Sequence, residues 1–586
     1  MTTGVQEKRI KTDVLVIGGG LAGCFAAIKA AEHGVNVTLV DKSHVAHSGS
    51  NATGIDHFPY CFIPEVHGPL GYKVEDFVKA HIRNGLGITD HELCEMMWQD
   101  SYERLLDLER IGIKIRYEKI FPWNFGYEPG DYSDDPKFRI IPWGGFPVPP
   151  ALNIAGLKIK AKLYAKLKEL GIDILNFYSA QDFLTIDGSV VGAVGFNIRT
   201  GEFIVIEGKA TVLATGWLNR IAIKANIFGD SLLPPNQTAE GQTMAFRAGA
   251  ELAIMEGGSA SSRTKVLLGA MLLKNFERSS PATPSGYPAG RIVNAAGDVM
   301  PTIGKKVSPE YEGDIFTKQE EWVRKSISDG KTPFYWDATA ASEEERKYAE
   351  WSSTEEGLGT EFFRHLREDL KADIATHQIE LEAPKFIKPN QPMGAFNPTP
   401  FSITSPSGIV VNKEVETTLK NLYAAGQVAY GIHFPAAPWP FASGARAGQN
   451  SAERAQKSYH LKADENQIDA FKERIYAPLK VKKQRVMWHE LNLEINNILQ
   501  SYLTLNSKES LKMGLQYIED LKKENLGAKN PHELMRLMET LSLLTVSEIF
   551  FRAALSSRKS NEWRILKKVD GKMEFTGRPI VQKYQT

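Results

Sequence analysis

The sequence predicts an α/β fold, α+β over the whole chain, and three observations predict it. Val14–Asp41 reads as strand, glycine turn, helix, strand and acid. Asp182–Thr215 reads as a three-stranded meander that closes on Ala214-Thr215-Gly216. From Asn466 onward the apolar spacing is helical. A βαβ opening, a meander and a late helical block imply more than one domain around one dinucleotide-binding unit.

The first element is Val14–Ile17, an apolar β-branched run suited to a buried parallel strand. Gly18, Gly20 and Gly23 follow as G-x-G-x-x-G, then an Ala-rich helix, then the strand Val35–Val40. Asp41 closes that strand 18 residues after Gly23. Gly18 permits the tight turn, Gly20 lets backbone approach a pyrophosphate, and Gly23 allows close helix–strand packing. The helix reads as Ala22 to Ala31, and the N–H groups at its start suit a phosphate. Asp41 can accept from a ribose hydroxyl. A ligand-free glycine turn is the plain alternative, but strand, helix and acid together point to an adenine dinucleotide.

Ser43–Tyr72, rich in Gly, His, Pro and aromatics, reads as a loop lining a site. Val74–Gly112 is mainly helical, with capping residues at Thr89-Asp90. The stretch 121–150 is irregular, with many aromatic, Pro and Gly residues, and long loops of this kind are commonly functional. Leu157–Leu170 is an amphipathic helix and Ile172–Phe177 a strand. The meander turns at Asp187-Gly188 and Thr200-Gly201. Gly241–Glu256 is a helix. The alternation then lapses, which suggests an inserted domain, until Gly408–Gly426 returns to strand–turn–strand. The expected boundaries are 1–256 with 401–462 for the dinucleotide domain, 257–400 for a capping, substrate-facing domain, and 463–586 for a C-terminal helical domain.

Composition narrows the function. The 586 residues carry 70 Lys+Arg against 70 Asp+Glu, so nothing suggests nucleic acid. No run is apolar enough for a membrane span. The N-terminus shows no export signal, and a cytoplasmic setting is expected. The three cysteines, Cys24, Cys61 and Cys94, have no C-x-x-C spacing, so this chain holds neither a four-cysteine cluster nor a disulfide framework by itself. No metal site is expected.

These pieces together resemble the fumarate reductase/succinate dehydrogenase flavoprotein superfamily over nearly the whole chain. The anchors are the N-terminal fingerprint, VLATG, MAFRAGAELAIME, GIVVN…NLYAAGQVAYG and the late helix Glu533–Arg552. Within it, VAHSGSNATGIDHFPY, VEDFVKAHIRNGLGITDHEL and FASGARAG are similar to the alpha subunit of adenylylsulfate reductases. The resemblance implies a Rossmann-like, glutathione-reductase-type domain binding FAD, with a flavin-dependent oxidoreductase activity. It places FAD against Gly18, Gly20, Leu21, Ala22, Gly23, Asp41, Lys42, Ser48, Gly49, Gly54, Ala214, Thr215 and Gly216. It adds Gly426, Gln427, Ser443, Gly444, Gly448, Asn450 and Ser451. Ser443-Gly444 to Gly448 also reads as a helix start whose N–H groups suit the flavin N1/O2 edge. Gln427 stands where the family usually has an acid. Gly49 stands where the respiratory members attach flavin to a histidine, which implies non-covalent FAD even with His44 and His47 nearby.

The substrate residues depart from both groups. Gly286 stands near the place of the arginine proton donor of fumarate reductases, and Ser261 opposite their histidine. Arg446 matches a carboxylate-binding arginine, and Arg263 a substrate-contacting arginine of adenylylsulfate reductases. Trp439 and Pro59 replace that family's polar groups. Phe58, Tyr60, Trp439 and Phe441, with Trp123, Phe125, Tyr127 and Trp143, would line an aromatic pocket; ordinary core packing is the alternative. His57, Tyr60 and His433 are candidate proton donors. Arg263 and Arg446 are candidate substrate clamps, or else partners in structural ion pairs.

The expected function is a catalytic flavoprotein subunit exchanging two electrons between flavin N5 and a small organic or sulfur-containing substrate. A separate ferredoxin-like iron–sulfur partner would relay the electrons. Basic runs at Lys480–Arg485 and Lys522-Lys523 would serve docking, or simply be solvated helix faces. An enoate reductase, an oxidase, or an electron-transfer flavoprotein without its own substrate are the alternatives.

Overall fold

The computed structural model describes residues 5–116, 138–220, 235–255, 291–299, 322–337, 378–381, 407–432, 436–503, 507–556 and 562–579. Within these, 53, 85–88, 139, 142–145, 149, 219, 323–324, 327, 332–333 and 484 are excepted. Arg263, His433, Gly286, Ser261, Trp123, Phe125, Tyr127 and Trp143 lie outside the described residues.

The chain opens with β1 (Glu7–Ile17), α1 (Leu21–Glu32) and β2 (Val37–Asp41). The second half of β1 and all of β2 are buried, as strands covered on both faces must be. Next come β3 (Ile55–Phe58), α2 (Pro64–His67), α3 (Val74–Asn84) and α4 (His91–Arg110). Asp90 caps α4 by accepting from Leu93 N at 3.0 Å. β4 (Ile140–Ile141), β5 (Ala151–Gly156), α5 (Ile159–Glu169), β6 (Asp173–Asn176), β7 (Tyr178–Ile186), β8 (Ser189–Asn197) and β9 (Phe203–Leu213) follow.

A seven-stranded sheet orders these as β6-β2-β1-β9-β8-β7, with β15 (Leu422–Ala424) also on β9. β6, β2, β1, β9 and β15 pair in parallel, while β7, β8 and β9 form the antiparallel meander. The first βαβ unit and the meander therefore stand as expected. Their C-terminal strand ends, Ile17, Asp41, Leu213 and Ala424, open on one edge, where α/β sheets bind ligands.

After β9 come α6 (Glu240–Ala248), the short strand β10 (Leu252–Ala253) and a three-stranded antiparallel sheet. That sheet is β11 (Arg291–Asn294), β12 (Phe334–Asp337) and β13 (Gln378–Leu381), within the expected insertion. β14 (Gly408–Ile409) and β15 return to the core. Then α7 (Pro438–Gln456) packs along α1. The seam is a backbone-to-backbone approach. A Cβ on Gly444 would stand 2.5 Å from Ala22 O, and one on Gly448 2.3 Å from Ala26 O.

The C-terminal block contains α8 (Glu465–Tyr476), α9 (Trp488–Ile498), α10 (Lys508–Leu521) and α11 (Pro531–Leu555). It is not helical to the end. β16 (Glu562–Val569) and β17 (Lys572–Pro579) form a hairpin, and β16 pairs with β10 to close a four-stranded sheet. The turn is Asp570-Gly571, at φ +47° and +78°. Positive φ at both central residues makes the primed hairpin turn that suits strand twist.

Candidate functional site

The glycine loop between β1 and α1 is shaped by its neighbours. Gly18 has φ +104°, and a Cβ there would lie 2.5 Å from Ala214 O at the end of β9. A Cβ on Gly23 would fall 1.8 Å from Gly18 O. Gly20 differs, because the nearest atom to its Cβ position is Gly49 Cα at 3.8 Å. Gly20 is also the N-cap of α1 and offers no side-chain cap. The first N–H groups of the helix are thus left to a ligand.

Asp41 holds this loop as well as facing it. Its Oδ2 accepts from Gly19 N at 2.6 Å, and its Oδ1 accepts from Ser43 N at 2.7 Å and Ser43 Oγ at 2.9 Å. A carboxylate oxygen has two lone-pair sites, so Oδ2 retains one for a ribose hydroxyl. On the other side, Gly19 O accepts from Ser48 Oγ at 3.0 Å, from Cys24 Sγ at 3.3 Å and from Lys160 Nζ. Gly49 follows at φ +88°, where a Cβ would come within 2.8 Å of Gly20 Cα. Gly54 packs on the end of β5, with Gly156 O 2.9 Å from its Cβ position.

The strand end of β9 adds an orphaned group. Among the described residues, Thr215 Oγ1 is buried with no hydrogen-bond partner. Gly216 O accepts from Gln242 Nε2 at 3.1 Å. An uncapped helix start, an open glycine face and a buried hydroxyl without a partner fit a dinucleotide laid across this edge.

The second glycine turn follows β15. Ser443 Oγ accepts from Gly426 N at 2.9 Å, and Trp439 Nε1 donates to Gly426 O at 2.9 Å. Gln427 lies in the short helical turn behind them. Trp439, expected in a substrate wall, is 1% exposed and holds this turn. Phe58 and Phe441 are also core. They stack at 5.9 Å, and Phe25 meets Phe441 edge-on at 4.6 Å.

Other expected positions are engaged elsewhere. Gly444 and Gly448 face α1 rather than an open cleft. Ser451 Oγ donates to Gly448 O at 3.0 Å, and Asn450 Nδ2 to Glu414 O at 2.9 Å. Arg446 forms a two-point ion pair with Asp100, Nε–Oδ2 2.6 Å and Nη2–Oδ1 3.0 Å. Lys42 bonds Glu240, Glu539 at 2.7 Å and Thr238 at 3.2 Å. Burial opposes its charge, but Glu240 and Glu539 outweigh that and raise the Lys42 pKa. Of the basic runs, Lys480 pairs with Glu473 at 3.5 Å and Lys523 with Asp520 at 2.7 Å. Lys522 pairs with Glu548.

Two proton-donor candidates are described. His57 is half-buried on β3, opposite Asn153. Tyr60 is 5% exposed and takes φ +58°, a conformation costly for a bulky residue and common at functional sites. Its ring lies 4.6 Å from that of His81, with Trp98 and Phe146 behind. Trp98 Nε1 donates to His81 Nδ1 at 3.2 Å. His81 escaped the sequence reading because a lone histidine within an amphipathic helix carries no motif. Lys160 and Glu539 escaped it for the same reason.

Comparison with known proteins agrees with this geometry. The model of the FAD binding domain family matches residues 13–260. A fumarate reductase (CoM/CoB) subunit from Methanothermobacter marburgensis is 23% identical over 590 residues, covering 95% of this chain and 94% of that one. The adenylylsulfate reductase structure from Archaeoglobus fulgidus aligns with TM-score 0.73 at 18% identity, over 100% of this chain and 98% of that one. A quinol fumarate reductase chain of E. coli aligns with TM-score 0.69 at 16% identity, over 99% and 98%. The chain thus carries an FAD-binding domain, is similar in sequence to fumarate reductase and succinate dehydrogenase flavoproteins, and shares its fold with adenylylsulfate reductase.

Proposed function

We propose that this chain is the catalytic flavoprotein subunit of a two-electron oxidoreductase that works with a separate ferredoxin-like iron–sulfur subunit. The observation that carries this reading is the state of the cysteines. The sequence has only three. All three are buried and free, and burial raises the pKa of each thiol. Buried thiols held protonated are poor cluster ligands and poor redox thiols, which supports a separate carrier for the electrons. The naming of the Methanothermobacter relative as one subunit of a fumarate reductase supports an assembly.

FAD, when bound, supplies two-electron exchange at its N5 with a small organic or sulfur-containing substrate. The protein binds it non-covalently in this reading, since Gly49 has no side chain to attach it and no room for one. Arg446 is assigned to structure through Asp100. Tyr60, beside His81, is the described residue best suited to hold a proton for the substrate.

The test is purification with the neighbouring subunits, followed by flavin reduction. FAD in the acid supernatant and flavin reduction through an iron–sulfur partner are the expected results. Full turnover by the isolated chain with oxygen as sole acceptor would replace this reading with an oxidase.

A further inference from the structure

Lys160 stands in the first turn of α5 and is 3% exposed. Its Nζ donates to Gly19 O and to Cys24 Sγ, the latter at 3.3 Å; among the described residues no carboxylate partners it. Cys24 brings no negative charge, because burial pushes its thiol pKa up against the pull of Lys160. A buried ammonium without a contacting anion is costly. Asp41, the carboxylate on the other side of Gly19, is taken up by Gly19 N and Ser43, so Lys160 still suits a further anion.

The geometry of the loop says where that anion belongs. The Gly19 N–H is held by Asp41 Oδ2 at 2.6 Å, and Gly19 O is drawn to Lys160, Ser48 and Cys24. In a trans peptide a carbonyl and the following N–H point in opposite directions. Drawing Gly19 O toward α5 turns the Gly20 N–H away from it. Gly20 itself is open, with only Gly49 Cα near its Cβ position, at 3.8 Å.

We propose that Lys160 is a positioning residue for the FAD pyrophosphate: it turns the Gly20 N–H outward through Gly19 O, and the pyrophosphate balances its buried charge. The proposal rests on FAD as the bound dinucleotide and goes beyond it by naming the residue that sets the loop. Ser48 Oγ and Cys24 Sγ also donate to Gly19 O, so that carbonyl keeps partners without Lys160 and loses only the charged donor that turns it most strongly. Its removal should therefore be felt by the ligand and not by the fold.

The experiment titrates full-length apoprotein with FAD, using ADP and adenosine as competitors, for wild type, Lys160→Met and Lys160→Gln. Both variants should bind FAD and ADP at least about tenfold more weakly. Adenosine, which has no phosphate, should compete equally in all three proteins, and the apoprotein melting temperature should not fall. FAD and ADP affinities within about twofold of wild type would overturn the proposal. So would a parallel loss of adenosine affinity, or failure of both variants to fold, because a lysine of structural role alone gives those results. Wild-type apoprotein that takes up no FAD would instead sink the cofactor assignment, and no variant is needed to see that.

Discussion

Two lysines flank the dinucleotide edge, Lys42 half-buried and Lys160 buried, and the protein treats them differently. Lys42, just past β2, meets Glu240 and Glu539, and Glu539 in turn binds Arg220 at 2.7 Å and Arg536 at 3.1 Å. Lys160, beneath the glycine loop, meets a carbonyl and a thiol. The first is closed by the chain and ties α11 of the C-terminal block to the strand end that carries Asp41. The second is left for a ligand to close. Burial alone therefore does not mark a charge as structural; what distinguishes the two is whether the counter-charge belongs to the protein.

The sharpest way to break that contrast is Glu539→Gln. Glu539 is 1% exposed and serves three cations. Removing one partner of a buried ionic cluster costs about 3–5 kcal/mol, to be read from denaturant unfolding of the apoprotein. A loss smaller than that of Lys160→Met would reverse the two roles. Acid titration adds a sign. Burial alone would raise the Glu539 pKa, but Lys42, Arg220 and Arg536 outweigh it and hold the pKa below the usual carboxylate value. Its contribution is thus full above the usual glutamate pKa and is lost as pH falls through the lowered one. The acid limb of wild-type stability should be steep, and that of Glu539→Gln shallower.

The same division runs through the glycines. Gly448→Ala would put a methyl group 2.3 Å from Ala26 O, against helix backbone that cannot yield cheaply. We expect about 2–3 kcal/mol of destabilisation, measured by thermal unfolding. Gly20→Ala meets nothing nearer than 3.8 Å among the described residues. Its apoprotein should melt close to wild type, while its FAD affinity falls by about tenfold or more. Equal melting losses for the two substitutions would show that Gly20, too, is closed by the protein.

These differences bear on what the sequence can convey. The loop from Gly18 to Asp41 was legible because its constraints are local, with turn, helix start and acid lying within one βαβ unit. Gly444 and Gly448 carry the same letters, yet their spacing alone does not tell a ligand's backbone approach from a helix's. Lys160 is 141 residues from its acceptor. It sits among alternating lysines at 158, 160 and 162 that give no sign of which one turns inward. Trp439 likewise reads as pocket wall until its indole N–H is seen on Gly426 O. The C-terminal hairpin did carry a local signal. Asp570-Gly571 is the same dipeptide as Asp187-Gly188, which the meander uses with φ +47° and +72°; the strong helical periodicity before it masks so short a pair of strands.

Gly426 extends the comparison to its weakest case. Its carbonyl is pinned by Trp439 Nε1 at 2.9 Å, as that of Gly19 is pinned by Lys160, but the donor is neutral. Trp439→Phe keeps most of the buried ring and removes only that bond. A neutral hydrogen bond contributes about 1 kcal/mol net, so a small loss in melting temperature is expected. Because no buried charge is withdrawn, ADP affinity should stay within about twofold of wild type. If Trp439→Phe weakened ADP as much as Lys160→Met does, holding the loop carbonyl would be the whole role of the lysine, and its charge would contribute nothing to the pyrophosphate.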